Sequence, residues 1–215
     1  MYITGGYKPV GAKISQDFFK FNPVKKEIVR LSPLPEGRYG HSMCQFGGCL
    51  YLVGGSEKNI LKYDLKTNKW SKEKMILTEK RYHPTTFIKD GFLYAISGED
   101  ESKIIPTGER IKLGTTGKMT VFTNDEKLRR VFSGVIFGNS EIFMIGGRTD
   151  NKEMLKSAIK VDLNTGLVMD STKELTDPAF LAQSVLPVCG IGAIGYFSKV
   201  DTHPFIYIKF NPNEN

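Results

Sequence analysis

Short apolar segments separated by glycine-, aspartate- and asparagine-containing turns follow one another along the 215-residue chain. The segments HSMCQF, PTTFIK and SGVIF each lead into a tight turn, predicted at Gly47-Gly48, Asp90-Gly91 and Gly138-Asn139. The segments that follow, CLYLVGG, FLYAISG and IFMIGG, are almost continuously apolar, which is typical of a strand covered on both faces. A third strand alternates (NILKYDL, SAIKVDL), and a fourth starts at Trp70, Met119 or Val168. The pattern predicts an all-β chain built from four-stranded antiparallel units.

The units recur with a period close to fifty residues. An arginine opens the unit at positions 38, 81 and 130, and Leu181 opens the next, so the steps are 43, 49 and 51 residues. The end of the second strand, at 55, 98, 147 and 198, advances by the same steps. This periodicity predicts one domain over residues 1–215. Its units are approximately 37–79, 80–129 and 130–179, with partial units at 1–36 and 180–215.

Two further features of the units resemble the Kelch repeat. A pair of glycines ends the second strand at Gly54-Gly55 and Gly146-Gly147, and Tyr63 precedes Trp70 by seven residues. The resemblance implies a Kelch-type β-propeller of four-stranded blades. The other units keep only apolar bulk at the aromatic positions, as Phe21/Ile28, Ile111/Met119 and Val161/Val168, and Phe197-Ser198 replaces the last glycine pair.

The number of predicted strands does not divide into whole blades. The chain opens at a second strand and stops after a third, so we expect an incomplete propeller of about four to five blades. Unpaired strand edges would then be available for self-association.

Charge and cysteine content exclude some classes of function. All of the net charge of +7 lies in residues 1–80, where lysines are scattered without an aromatic platform, so we expect no nucleic-acid partner. Three cysteines form no CxxC motif, and in the predicted hairpin Cys44 faces Tyr51 while Cys49 faces Phe46. No secretory signal or membrane span is recognisable, so we expect a cytoplasmic protein without a membrane partner.

Motifs that could carry chemistry lack the context that their chemistry requires. The string Gly190-x-Gly192-x-x-Gly195 leads to Pro204 within nine residues, which predicts no helix there to bind a pyrophosphate, and the spacing assigns the string to the last unit. His41 and His83 occupy neighbouring positions in successive units and could approach each other, but no further ligand recurs beside them. Strand-start histidines that hydrogen-bond to backbone are the simpler interpretation. We therefore expect no metal, no cofactor and no catalytic residues.

Arginine and tyrosine side chains at the unit entrances are the candidate binding residues. Strand polarity places the loops that enter the first strands on the same rim as the loops that leave the second strands. The candidates on this rim are Arg38, Tyr39, Arg81, Tyr82, Arg130 and Arg148. Guanidinium groups with tyrosine rings are common where proteins bind carboxylate-bearing peptides. The alternative is structural: the arginines brace a loop or the next blade through hydrogen bonds to carbonyls.

The resemblance implies a function in binding. We expect a non-catalytic protein–protein interaction module that binds a peptide or protein partner through its loop rim, as a scaffold or substrate-recognition subunit. The alternative is a propeller-based enzyme that acts on a sugar or small molecule, which would need titratable residues converging on the central channel. A third possibility is a partial propeller with no activity of its own.

Overall fold

The structure, a computed structural model, describes residues 1–8 and 11–175 and the strands 193–195 and 206–208. The described residues are almost entirely strands and turns, arranged as successive antiparallel sheets that we call blades 1 to 4. No helix among them is long and apolar enough to cross a membrane. The predicted unit at 180–215, with its glycine-rich string, lies largely outside the described residues.

Blade 1 has three strands in the order β1-β4-β5, with a small hairpin between the first two. Its elements are β1 Tyr2–Thr4, β2 Tyr7–Lys8, β3 Lys13–Ile14, β4 Phe18–Asn22 and β5 Glu27–Arg30. Compared with the following blades it lacks the first strand, as the sequence pattern predicts.

Blades 2, 3 and 4 are four-stranded meanders, in which each strand pairs with the next along the chain. Blade 2 contains β6 His41–Phe46, β7 Cys49–Gly54, β8 Asn59–Asp64 and β9 Lys69–Ile76. Blade 3 contains β10 Thr85–Lys89, β11 Phe92–Ile96, β12 Thr107–Lys112 and an outer strand split into β13 Gly117–Lys118 and β14 Thr120–Asn124. A short 3₁₀ turn, Glu126–Leu128, leads to blade 4, which contains β15 Gly134–Phe137, β16 Glu141–Ile145, β17 Ser157–Asp162 and β18 Val168–Glu174. Two further paired strands are β19 Ala193–Gly195 and β20 Ile206–Ile208.

The hairpin turns follow from residues that tolerate positive φ. Gly47 and Gly48 have φ of 56° and 73°, and Asp90 and Gly91 have 50° and 75°, so both central residues of each turn adopt the left-handed conformation that tight hairpins need. In blade 2 this register pairs Cys44 with Tyr51 and Phe46 with Cys49, which confirms the predicted register. The third turn differs from the prediction: Phe137 pairs with Ile142, and Gly138 donates to the carbonyl of Glu141 at 2.9 Å. Its tip is therefore Asn139-Ser140, one residue later than predicted.

The hydrophobic core lies between successive blades. The cluster between blades 2 and 3 contains Val53 and Ile60 of the former with Leu93 and Ala95 of the latter. A similar cluster joins blades 3 and 4. Between blades 1 and 2 the core is aromatic: Phe18 packs edge-on against Tyr63, with ring centroids 4.8 Å apart. Every blade thus buries its apolar side chains against a neighbour, as in a solenoid or propeller.

The predicted aromatic pair is a direct cross-strand pair. Tyr63 lies opposite Trp70 on β8 and β9, and their ring centroids are 4.9 Å apart. The corresponding residues Phe21/Ile28 and Val161/Val168 are also directly paired.

One feature of blade 3 was not predicted. The start of its outer strand, β13, pairs with β9 of blade 2 in parallel, and Met119 donates to the carbonyl of Ile76 at 2.8 Å. This outer strand therefore ties two blades together.

Candidate functional site

The loops that enter the first strands and the loops that leave the second strands meet at one end of the blades, as predicted. We call this end the loop rim. In blade 3 the two loops form a backbone bridge, since Tyr82 and Glu99 exchange hydrogen bonds of 2.7 and 2.8 Å. In blade 4 the equivalent bridge joins Val131 and Arg148. The residue after each blade's entrance pair, Gly40, His83 or Phe132, has φ between 53° and 64°. This repeated left-handed residue turns the chain from the rim into the first strand.

The three repeated arginines are buried beneath the rim. The exposed fraction is 0% for Arg38 and Arg81 and 5% for Arg130. In each blade one guanidinium nitrogen donates to two carbonyls, one at the end of the second strand and one at the start of the third. For Arg81 these are Ser97 at 2.7 Å and Thr107 at 3.0 Å. For Arg38 they are Gly54 and Asn59, and for Arg130 they are Gly146 and Ser157.

This arrangement favours the structural alternative for the arginines over the binding one. A guanidinium that is buried and already donates to backbone carbonyls is not exposed for a partner to reach. Each arginine instead closes the loop between the second and third strands of its own blade. The structural interpretation therefore replaces the binding one for Arg38, Arg81 and Arg130. The remaining rim candidates are Tyr39, Tyr82 and Arg148.

The same arginines also connect neighbouring blades through their backbone. The carbonyl of Arg38 accepts from the amide of Gly6 at 2.7 Å, and the carbonyl of Arg81 accepts from Gly55 at 2.9 Å. Between blades 3 and 4 the hydroxyl of Ser97 donates to the carbonyl of Arg130 at 2.6 Å. The glycine pair of one blade thus meets the arginine of the next.

The glycine at the end of the second strand is needed for this close approach. Gly54 has φ of 78°, and a Cβ at this position would lie 2.6 Å from the carbonyl oxygen of Arg81. Any larger residue would separate the two blades.

Three carboxylates that support the arginines were missed from the sequence: Glu36, Glu79 and Glu109, the last a fully buried ion-pair partner of Arg81. Glu36 lies 2.5 Å from the guanidinium of Arg38, and Glu79 lies 3.3 Å from that of Arg81. Burial acts to raise the pKa of Glu36, but hydrogen bonds from Arg38, Asn59 and Lys72 together lower it to about 2. The available signal was the Glu-x-Arg spacing that blades 2 and 3 share. Blade 4 has Leu128 in place of the glutamate, two residues before Arg130.

The rim side chains themselves form a row of aromatic rings, which we call the aromatic row: Tyr7, Tyr39 and Tyr82. The ring centroids of Tyr7 and Tyr39 are 5.8 Å apart, and those of Tyr39 and Tyr82 are 5.1 Å apart. Tyr7 is 54% exposed and the other two are half-buried. The neighbouring Tyr39 hydroxyl, and then burial, raise the pKa of Tyr82 to about 12. The row spans blades 1, 2 and 3.

Arg148 lies further round the rim in a contact of its own. Its guanidinium is 2.5 Å from the carboxylate of Glu99 and its Cζ is 5.8 Å from the ring centroid of Phe132. The ring of His83 is 4.5 Å from that of Phe132. We call Arg148, Glu99 and Phe132 the internal clamp, because the Arg148 guanidinium contacts both the Phe132 ring of its own blade and the Glu99 carboxylate of blade 3.

Part of the chain is similar to known Kelch proteins. The family model of the Kelch motif matches residues 37–74, which is blade 2 with its buried arginine, glycine pair and Tyr63–Trp70 pair. Kelch-like protein 25 of Xenopus tropicalis is 31% identical over 85 residues, 33% of this chain and 14% of that protein. Kelch-like protein 13 of Mus musculus is 26% identical over 119 residues, 51% of this chain and 18% of that protein. Blade 2 therefore carries a Kelch motif, and the chain is similar to Kelch-like proteins over a third to a half of its length.

A solved structure extends the fold beyond the matched blade. The structure of YjhT superposes with a TM-score of 0.64 at 15% identity, covering 90% of this chain and 72% of that one. At this identity the likeness concerns the fold alone. The chain spans less than a fifth of the length of the Kelch-like proteins cited above.

The side chains of His41 and Cys44 are poorly placed for reaction because burial shifts the pKa of each. His41 bonds to the Thr4 hydroxyl through Nε2 at 2.6 Å, and burial, followed by the charge of Arg38, lowers its pKa to about 4. Burial also raises the pKa of the Cys44 thiol to about 12. The described residues contain no group of three or more His, Cys, Asp or Glu side chains that could hold a metal ion. His41 thus bonds to a side-chain hydroxyl, whereas its position at the start of a strand predicts a bond to backbone.

Proposed function

We propose that this chain is a non-catalytic protein-interaction module that binds a peptide or protein partner at its loop rim. The observation that carries the proposal is the aromatic row, three neighbouring tyrosine rings at the end of the blades where the loops meet. Tyrosine is enriched where proteins bind one another, since its ring buries a large area at little entropic cost and its hydroxyl still forms hydrogen bonds.

The buried arginines support the same surface indirectly. They fix the loops between second and third strands to the blade framework, so the tyrosines are presented by braced backbone. A rim that is already ordered loses little conformational entropy when a partner binds. We therefore assign Tyr39 and Tyr82 to partner binding, and Arg38, Arg81 and Arg130 to holding the rim in place.

Service as a scaffold or as a substrate-recognition subunit, a cytoplasmic location, the absence of catalysis and self-association through open blade edges are expectations from the sequence and from similarity to Kelch-like proteins. The partner is expected to be a protein or peptide.

The experiment is affinity capture from source-cell lysate, read by mass spectrometry. The wild-type chain is compared with Tyr39→Ala/Tyr82→Ala and with the control Phe46→Ala/Leu167→Ala. The control removes two exposed side chains, Phe46 at 47% and Leu167 at 56%, from the opposite end of the blades. The proposal expects proteins captured by the wild type and the control but lost from the tyrosine variant. Equal capture by all three would place the binding surface elsewhere.

A further inference from the structure

The inner edge of blade 1 differs from that of blades 2, 3 and 4. In those three blades the second strand pairs with a first strand on one side and with a third strand on the other. The second strand of blade 1 is β1, which leads into the glycine pair Gly5-Gly6. Among the described residues β1 pairs with β4 alone, so one side of this strand is open.

Backbone groups of β1 point towards this open side. The amide of Gly5, next to the strand, donates to the carbonyl of Asp17 at 2.8 Å, which is the side of β4. Alternate residues of an antiparallel strand bond to opposite neighbours. Ile3 therefore bonds to β4, whereas the amides and carbonyls of Tyr2 and Thr4 face the open side.

An acceptor for a guanidinium lies at the rim end of this edge. In blades 2, 3 and 4 the buried arginine also donates to a side-chain oxygen at the start of the third strand: Asn59 at 2.7 Å, Thr107 at 3.0 Å and Ser157 at 3.3 Å. Blade 1 has Asp17 at this position, since its carbonyl accepts from Gly5 just as that of Thr107 accepts from Ser97. The described part of blade 1 contains no buried arginine.

The carboxylate of Asp17 has room for a further donor. Lys8 and Ser15 bond to one of its oxygens, whereas Arg30 alone bonds to the other, and each oxygen can accept two hydrogen bonds. The side chains of Lys8 and Arg30 are mostly exposed, where ion pairs are weak. A guanidinium that approaches along the open edge can therefore bond to Asp17.

The open edge also presents an aromatic ring at a fixed place. In blade 3 the position of Tyr2 is taken by Tyr94, which pairs with Phe87 of the first strand and stacks on its ring at 4.8 Å. Each first strand has an apolar residue six positions after its arginine: Cys44, Phe87 and Ile136. A strand added to blade 1 would place its own apolar residue beside Tyr2.

We infer that the open side of β1 binds an extended, arginine-bearing segment of a partner protein as an added antiparallel strand. Its arginine donates to the carboxylate of Asp17 and to the carbonyl of Gly5, and an apolar residue six positions later packs beside Tyr2. Arg81 forms the two equivalent hydrogen bonds in blade 3. Main-chain hydrogen bonds supply affinity, and the arginine sets the register. This surface is the edge of blade 1 rather than the aromatic row, so the inference goes beyond the proposed function.

The chain itself does not supply this arginine. The strands that follow Arg38, Arg81 and Arg130 are each paired within their own blades, so a second copy offers none of them. Residues 176–215 contain no arginine, and Leu181 stands where the other units have one. The occupant that fits the acceptors of blade 1 is therefore a segment of another protein.

The test measures amide hydrogen exchange of the isotope-labelled full chain by NMR, with and without a synthetic peptide. The peptide has the sequence of residues 79–89, which includes Arg81 and Phe87. In the free chain we expect fast exchange at Tyr2 and Thr4 and slow exchange at Gly5. Saturating peptide should slow exchange at the first two amides by about tenfold or more and leave the third unchanged.

Two substitutions test the role of the arginine. A peptide with citrulline in its place keeps the shape without the charge, and we expect about tenfold weaker binding. Asp17→Asn removes the receiving charge and should keep the blade intact, because Asn59 occupies the equivalent position in blade 2. In this variant we expect the preference for arginine over citrulline to fall to about twofold. Glu27→Gln, on exposed β5 of the same blade, is the matched control and should keep the full preference.

Other outcomes overturn the inference. Slow exchange at Tyr2 and Thr4 in the free chain means that the edge is already occupied, by another segment of the chain if sedimentation shows a monomer and by a second copy if it shows a dimer. Absence of binding, binding that leaves these two amides unprotected, and equal binding of the arginine and citrulline peptides each contradict the added strand. None of these results involves Tyr39 or Tyr82, so the proposed function is tested separately by the capture experiment.

Discussion

The guanidinium of Arg81 and the carboxylate of Glu109 form an ion pair at 2.8 Å in which both side chains are fully buried. The carboxylate also accepts from the backbone amide of Thr78 at 2.8 Å. A buried pair of this kind stabilises little relative to apolar packing, but removal of one partner is costly because the other charge stays buried.

Loss of Arg81 should therefore cost more stability than loss of the equivalent arginine in blade 4. We expect Arg81→Met to lower the free energy of unfolding by about 3–5 kcal/mol. Arg130→Met should cost only about 1–3 kcal/mol, because Arg130 forms no ion pair with the described residues and bonds mainly to carbonyls. Urea unfolding followed by fluorescence of Trp70, the chain's one tryptophan, measures both. Equal losses would show that the buried Glu109 carboxylate adds nothing to the cost of removing Arg81.

The contact between blades 2 and 3 should depend on the absence of a side chain at Gly54. We expect Gly54→Ala to destabilise the chain by about 2–4 kcal/mol, from positive φ and from contact with the Arg81 carbonyl. Gly47→Ala is the matched control, since Gly47 also has positive φ but no atom lies within 4 Å of a Cβ there. Its cost should be about 1–2 kcal/mol. Thermal unfolding of the two variants compares them, and a smaller loss for Gly54→Ala would contradict the close approach.

Stability should fall as the pH drops below the ordinary pKa of histidine. The unfolded chain takes up a proton on His41 near pH 6.5, whereas the folded chain resists it until about pH 4. Unfolding therefore binds a proton between these values, so the free energy of unfolding decreases as the pH falls through this window. The loss from His41 alone approaches about 3 kcal/mol at the acid end.

The variant His41→Gln isolates this contribution. Between pH 6.5 and 4.5 most carboxylates are ionised in both states, so histidines dominate the slope. We expect urea unfolding at several pH values to give a shallower slope for His41→Gln than for the wild type. The same slope in both would show that His41 is not the group responsible.

Much of the fold could be predicted from the sequence because its signals are local and repeated. The turn glycines Gly47-Gly48, the apolar second strands and the spacing of Tyr63 and Trp70 each impose a local geometry, and the repeat multiplies them. The third turn was misplaced because Gly138 suggested a central turn position, whereas it pairs with Glu141 at the base. The split outer strand of blade 3 depends on a contact with blade 2, which no local pattern encodes.

The candidate site was only partly predictable. The sequence placed Arg81 and Tyr82 on the rim, and both are in that region. The sequence could not decide whether Arg81 or Tyr82 turns inward. That depends on the left-handed conformation of His83 and on the backbone carbonyls that accept hydrogen bonds from Arg81. The Glu-x-Arg spacing was visible, but its meaning required knowing that the arginine is buried.

The central claim, that the tyrosines of the rim contact the partner, is tested most directly by photo-crosslinking. A benzophenone amino acid replaces Tyr39 in one chain and Phe46, at the opposite end of the blades, in another. After irradiation in source-cell lysate, the account predicts a defined covalent adduct from position 39 and none from position 46. An adduct from position 46 alone, or the same adducts from both positions, would contradict it.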